Sequence, residues 1–316
     1  MRALLMQNAA VTSINQYDRL APFVPDQKAK LWIDIQDPKK EDLEFLEKTL
    51  GVHPLVLEDV SNQRQRPKME PYDNYLYLVL KTVDPVNGKQ AAQLNLLLGA
   101  NYLVTIHHAA MPFLDGMWQR TEKNTSILSR GPDFALYTIL DTFVDNLVPT
   151  VTEFDLQIDS IEEKVFKDPT PAVIAKLFGL KRKIFYTRRA VAPLRDVLTS
   201  LSRHDTPIIN KKNTVYFRDV YDHTVRITES LDNAREILTA AVEVYVSSIS
   251  NNLNAIMKKL TAITAIIMVP SLVASVYGMN FGNITDYAFG ETKFVFLTMA
   301  ASVFLLGGYF KWRGWL

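Results

Sequence analysis

The sequence predicts an α+β membrane protein, in which a mixed α/β N-terminal part gives way to helices and ends in two membrane spans. Three observations carry this. Two apolar runs without a charge, Leu260–Tyr277 and Phe294–Phe310, lie close to the end of the 316-residue chain. At about 17–18 residues and roughly 1.5 Å of rise per residue, each run just crosses a hydrocarbon core. Before them, residues 214–277 hold no glycine before the helix end and one proline, Pro270. The first 110 residues instead mix β-branched and aromatic runs with short helical segments.

In chain order, Met1–Thr12 is too short in its apolar part for a signal peptide and reads as a first strand, which keeps the N-terminal part in the cytoplasm. Further strands are expected at Leu31–Ile35, Tyr75–Leu80, Leu94–Leu98 and Tyr102–Ile106, with a turn at Asn87-Gly88. Two helices lie between, Lys39–Leu50 closed by Gly51 and Pro54 to about Val60. Asp37-Pro38 offers the first of them an N-cap and a proline at its first turn.

From Phe113 the pattern is helical. Asp133–Phe166 repeats apolar residues at helical period, and Asp168-Pro169-Thr170-Pro171 separates it from a second helix, Ala172 to about Leu201. The first helix is acidic near its end (Asp155, Asp159, Glu162, Glu163) and the second is basic (Lys176, Lys181, Arg182, Lys183, Arg188, Arg189). An antiparallel pair with complementary faces accounts for both, and recruitment of cations by the acidic face is the alternative. From Thr214 to Tyr277, apolar positions spaced by three, four and seven (Val220, Ile227, Leu231, Leu238) predict one continuous helix of roughly 90 Å. A single small domain cannot cover it, so it needs partners.

Lys258 and Lys259 precede the first span, and Lys311 and Arg313 follow the second. That bias places both termini in the cytoplasm and the loop outside, with Trp312 and Trp315 suited to the interface. Net charge is +1, with 35 basic against 34 acidic residues, so no global basic character argues for nucleic acid. The chain has no cysteine, which excludes disulfides, thiolate metal sites and cysteine nucleophiles.

Within the first span, Asn254, Met257, Thr261, Thr264, Met268, Ser271 and Ser275 share one helix face. Such small polar residues serve helix–helix contact. Arranged around an axis, copies of the same face give polar rings and methionine girdles that suit a hydrated ion and a gate that closes by dewetting. Where the helix ends, Gly278 can take positive φ and free backbone carbonyls, and Asn280 adds a neutral amide oxygen. Neutral oxygens suit a hard cation that keeps its water, and Mg²⁺ dehydrates most reluctantly. Asp286 and Glu291 further along the loop can concentrate cations.

Tyr277-Gly278-Met279-Asn280-Phe281 resembles the signature of the CorA family of magnesium and cobalt transport channels. The likeness extends to His53-Pro54-Leu55-Val56-Leu57-Glu58-Asp59, Gln65-Arg66-Pro67-Lys68, Tyr216–His223 and the basic-aromatic C-terminus. It implies a funnel-shaped homopentamer with a cytoplasmic α/β/α domain and a channel that admits Mg²⁺, with Co²⁺ and Ni²⁺ as further ions. The boundaries are 1–212 for that domain, including a helical hairpin at about 133–203, 213–259 for a stalk helix and 260–277 for the pore-lining span. The outer loop is 278–293, the second span 294–311 and the cytoplasmic tail 312–316.

Carried over residue by residue, Gly278, Met279 and Asn280 form the selectivity filter. Asn254, Met257, Leu260, Thr261, Thr264, Met268, Ser271, Ser275 and Tyr277 line the pore, with Met257, Leu260 and Met268 as constrictions. Asp59 and Glu243 of an adjacent copy bind a regulatory Mg²⁺ that favours closure, and Asp219 and Asp222 are candidates for further cytoplasmic sites. Two positions depart from the family: Glu243 stands where aspartate is familiar, and Gly282 where glutamate is common. Met279 favours magnesium over zinc. A proton-coupled zinc transporter on the same scaffold is the alternative, and a membrane-anchored enzyme using His53, His107, His108, His204 or His223 a remote one.

Overall fold

The computed structural model describes residues 1–8, 10–83, 90–203, 206–279 and 289–316. Two compact units divide the chain, Met1–Glu163 with Ala172–Ala240 and Lys164–Pro171 with Ala241–Leu316.

Seven strands of the first unit form one sheet: β1 (Arg2–Gln7), β2 (Ala10–Ile14), β3 (Lys30–Gln36), β4 (Lys68–Pro71), β5 (Tyr75–Val83), β6 (Gln90–Gly99) and β7 (Tyr102–His107). Their order is β2-β1-β3-β7-β6-β5-β4, with β3 and β7 parallel and the other neighbours antiparallel. All four strands expected between Leu31 and Ile106 are present. The N-terminal segment is a hairpin rather than the single strand expected, because Asn8 takes the left-handed conformation (φ 51°) that a short polar side chain tolerates. The Asn87-Gly88 turn lies outside the described residues.

β5 and β7 are buried almost without interruption, from Tyr75 to Lys81 and from Tyr102 to His107. Helices cover the sheet on both sides, and strands buried on two faces lose polar alternation. On one side Ile33, Ile35, Tyr77 and Val104 pack with Phe45, Leu46, Val56 and Val60 from the helices Lys40–Lys48 and Pro54–Ser61. On the other, the Pro132–Asp145 helix lies over β3, β6 and β7. The result is an α/β/α layering. The first of these helices is capped differently from the sequence expectation. Lys39 is its N-cap, with Asp42 accepting from the Lys39 N–H at 2.6 Å, while Asp37 stands outside at φ 50°.

Two long helices expected to run unbroken are each split, and both times by proline. The first is Pro132–Asp145 and Val148–Lys167, parted just before Pro149; the second is Pro171–Val191 and Leu194–Ser202, parted at Pro193. A proline has no N–H to give the preceding turn and its ring crowds the carbonyl four residues back. The helix Thr214–Tyr277 is continuous over 64 residues, and its Pro270 lies inside the apolar run. In the second unit, residues 241–277 of that helix are joined by a helix at Phe289–Trp312, which starts before the run expected from Phe294. Both are long and apolar enough to cross a membrane, by length and composition.

A buried polar network ties the sheet together. Arg2 donates to Asp34 at 2.9 Å and to Asp115 at 2.6 Å, the Thr105 hydroxyl donates to Asp34 at 2.5 Å, and the Trp32 indole donates to Thr105 at 3.2 Å. His107 Nε2 sits 3.3 Å from the same carboxylate. Burial pushes the Asp34 carboxyl up, but His107, Thr105 and Arg2 outweigh it and hold the group below the usual carboxylate range. Burial pushes the His107 ring down, and the Asp34 carboxylate outweighs it, so the ring titrates above an ordinary histidine.

A depressed carboxylate stabilises the fold above its unfolded pKa, near 3.9, and that stability is lost as pH falls through the folded value. A raised imidazole stabilises below its unfolded pKa, near 6.5, and that stability is lost as pH rises through the folded value. The network therefore contributes most between about pH 4 and 6.5. The melting temperature of the full chain in mild detergent is expected to fall as pH rises above that window, and His107→Gln to flatten the fall. An equal slope in the variant would remove His107 from the account.

Candidate functional site

In the second unit, the long helix presents two unlike sides. Ala262 is fully buried, and Ala265, Ile266, Val269 and Val273 are half-buried. Asn254, Met257, Leu260, Thr261, Thr264, Met268, Ser271 and Ser275 are all exposed, Met257 and Met268 by 58% and 62%. At about 100° per residue the methionine, threonine and serine positions fall on the side opposite Ala262. That side is bare, and so are Ile256, Ile263, Ile267 and Leu272 of the same helix. Ser271 Oγ donates to the Ile267 carbonyl at 2.8 Å, which satisfies the hydroxyl inside an apolar stretch.

The helix closes through Gly278, whose N–H donates to the Ala274 carbonyl at 2.9 Å. Gly278 does not take the positive φ expected for it; among the described residues the positive-φ glycines are Gly51, Gly131 and Gly314. What glycine provides here is room, since a Cβ would stand 3.1 Å from the Ala274 carbonyl oxygen. Tyr277 and Met279 are exposed at this end. Asn280, Phe281, Gly282 and Asp286, and the side chain of Glu291, lie outside the described residues.

In the first unit, two separated sequence motifs meet at one carboxylate. His53 caps the Pro54–Ser61 helix by accepting from the Leu55 N–H at 3.2 Å, a structural role that its place before Pro54 suggests. The helix carries Asp59 near its end. Gln65 Nε2 donates to Asp59 Oδ1 at 2.6 Å, and Lys68 Nζ donates to Asp59 Oδ2 at 2.7 Å. Lys68 also reaches Glu70 at 2.7 Å, and the buried Gln93 donates to the Asp59 backbone carbonyl at 3.1 Å. Burial lowers the Lys68 ammonium, but its bonds to Asp59 and Glu70 prevail and raise it. Within its own chain, Asp59 is therefore already paired with a cation.

A second cluster was not foreseen as a unit. One ligand atom each from Asp141, Asp145 and His223 lie within 4.8 Å of one another. His223 also stands 3.9 Å from Asp219. Burial first, and then Asp145, push the Asp141 carboxyl up. The i,i+4 pairs Asp141/Asp145 and Asp219/His223 are visible in the sequence; that the two helices bring them together is not. Asp222 is exposed and is not one of the three. It begins a series, Asp222, Glu229 and Glu236, of exposed carboxylates seven residues apart, and Glu243 continues the spacing.

His107 is buried in the Asp34 network, and His108 reaches Asp37 Oδ1 and the Val60 carbonyl, both at 3.3 Å. His204 lies outside the described residues.

A model of the CorA-like Mg²⁺ transporter protein family matches residues 27–312. The chain belongs to this family. Among curated relatives, the cobalt/magnesium transport protein CorA of Thermotoga maritima is 34% identical over 298 residues, covering 92% of this chain and 85% of its own. The putative metal ion transporter YfjQ of Bacillus subtilis is 27% identical over 312 residues, covering 96% and 98%. The complete structure of the CorA magnesium transporter from Methanocaldococcus jannaschii superposes with a TM-score of 0.85 at 23% identity, covering 99% of this chain and 98% of that one. The cytoplasmic domain of ZntB from Vibrio parahaemolyticus shares the fold at a TM-score of 0.58 and 13% identity, over 80% of this chain. The CorA-like family is one of transporters, in keeping with two apolar helices on this chain.

Proposed function

We propose that the chain is a Mg²⁺ channel that mediates influx across the cell membrane, with Co²⁺ and Ni²⁺ as further cargo. The observation that carries the reading is the match of the CorA-like Mg²⁺ transporter family to residues 27–312, and the methionine, threonine and serine positions that share one face of the first span support it. Five copies that turn this side to a common axis make a pore, with both termini in the cytoplasm. Membership of a Mg²⁺ transporter family, and the cobalt/magnesium name of the Thermotoga maritima relative, support magnesium over zinc.

In this pore Asn280, with the backbone of Gly278 and beside Met279, receives the ion with its water shell. Neutral oxygens hold a hydrated dication weakly enough to release it, where carboxylates would bind tightly. Asp286 and Glu291 raise the local cation concentration at the mouth. Asn254, Thr261, Thr264, Ser271 and Ser275 offer polar rungs to the ion's water, and Tyr277 stands at the outer end. Met257, Leu260 and Met268 are constrictions that shut by dewetting.

Regulation rests on Asp59 and an adjacent copy's Glu243, which bind intracellular Mg²⁺ and hold neighbouring copies together. The extra methylene of Glu243 sets its carboxylate further from the helix than aspartate would. Asp219, 3.9 Å from His223, and Asp222 are further cytoplasmic cation sites in this reading. Lys68 competes for Asp59: the dication must displace an ammonium already hydrogen-bonded there.

Two experiments test these roles. Asn280→Ala is expected to abolish Mg²⁺ uptake into proteoliposomes while the oligomer stays folded; near-normal flux would remove Asn280 from the filter. Lys68→Met, which keeps the stem and deletes the charge, is expected to lower the internal Mg²⁺ concentration for half-closure on the order of tenfold. That is the ratio for about 1.4 kcal/mol, at the low end for a charged hydrogen bond. Asp59→Ala with Glu243→Ala is expected to move the same midpoint the opposite way. An unchanged midpoint in both variants in patch recordings would overturn the sensor.

A further inference from the structure

Both side chains that hold the Asp59 carboxylate come from the turn that follows its helix. Gln65 lies within residues 62–67, which are neither helix nor strand, and Lys68 stands where that stretch becomes β4. Whatever fixes the turn therefore bears on Asp59. Gln63 in its middle takes φ 27°, on the left-handed side that a residue with a side chain rarely adopts. Such a backbone persists where its surroundings determine it.

Two contacts from the sheet do so. Lys81 Nζ donates to the Gln63 carbonyl at 2.6 Å, and the Gln65 N–H donates to Gln93 Oε1 at 3.1 Å. Lys81 of β5 and Gln93 of β6 are register partners, so their side chains stand together on one face. The far end of the Gln93 amide is used as well. Its Nε2 donates to the Asp59 carbonyl at 3.1 Å and to Asn95 Oδ1 at 2.8 Å, an oxygen that also accepts from the Tyr77 hydroxyl at 2.9 Å.

Gln93 is satisfied at both ends, whereas Lys81 is not. Lys81 is only 7% exposed, and among the described residues its ammonium makes this one hydrogen bond and has no carboxylate partner. Burial lowers its pKa, and no neighbouring charge opposes that. A buried cation with one carbonyl for company is costly, and an apolar side chain of the same length would pack there as well or better. The six residues before it, Tyr75–Leu80, are accordingly aliphatic or aromatic. The ladder loses its register directly after Lys81, where the Thr82 hydroxyl accepts from the Ala92 N–H at 3.0 Å. Irregularities of this kind re-aim a side chain. What the ammonium adds is a hold on Gln63.

We infer that Lys81 is a positioning residue for Asp59: by fixing the turn through the Gln63 carbonyl, it keeps Gln65 and Lys68 on the carboxylate. It thereby sets how much Mg²⁺ is needed to displace them, although it makes no bond to Asp59 itself. This rests on the proposed sensor at Asp59 and names what tunes it.

Lys81→Met keeps the stem and removes the donor. In patch recordings of the full chain it is expected to lower the internal Mg²⁺ concentration for half-closure about threefold, less than Lys68→Met, because Gln93 still holds Gln65. Added to Gln65→Leu with Lys68→Met, which already free Asp59, it is expected to shift nothing further, since its effect passes through those two side chains. Lys81→Arg, which can still donate to the carbonyl, is expected to keep the wild-type midpoint. Amide hydrogen exchange of the full chain in mild detergent gives a reading independent of gating. Lys81→Met is expected to speed exchange at residues 62–68 and to leave β5 and β6 as they are. An unchanged midpoint in Lys81→Met overturns the inference, as does an equal shift in the triple variant. Faster exchange spread through β5 and β6 also overturns it, because that marks a purely structural role. If Asp59→Ala with Glu243→Ala leaves the midpoint of the wild type, the sensor itself falls and the inference falls with it.

Discussion

The docking of the first half of the Thr214–Tyr277 helix through Phe217, Val220, Ile227, Leu231 and Leu238 is the contact on which the helical layer of the first unit depends. Each such side chain is worth roughly 1.5–3 kcal/mol on burial, so the seam fixes the rotation of the helix firmly about its axis.

Two groups of charges in this protein differ in how deeply they are held. Asp59 holds Lys68 and Gln65, and Lys68 is shared with Glu70. In the proposed sensor a dication would have to displace Lys68 from Asp59, and Glu70 offers that ammonium a second carboxylate. The Arg2–Asp34–His107 network beneath the sheet is the contrasting case, because burial makes every partner expensive to lose.

Much of this was legible in the chain. The strands from Leu31 to Ile106 announced themselves by β-branched and aromatic runs, and the long helix by its unbroken apolar period. Gly278 was read for the wrong reason, since it supplies space against Ala274 and not a left-handed turn. The breaks before Pro149 and at Pro193 were missed because apolar periodicity continues through them, although proline cannot. Lys68 was quoted as part of a motif without a role; only the fold puts its ammonium on Asp59, nine residues earlier. The Asp141, Asp145 and His223 group was hidden for the same reason, as each half of it sits on a different helix. Local signals name elements, while sites are made where elements cross.

The exposed carboxylates Asp222, Glu229 and Glu236, with Glu243 in the same spacing, recur every seven residues, whereas an ideal helix repeats every 3.6. In a straight helix each interval falls short by about 20°, so the series winds slowly around the axis and the last member points about 60° away from the first. Copies that gather these acids about a common line must therefore coil gently left-handed, or lean. A change in that lean would advance or retard the acids at one end relative to the other, as a screw converts turning into travel.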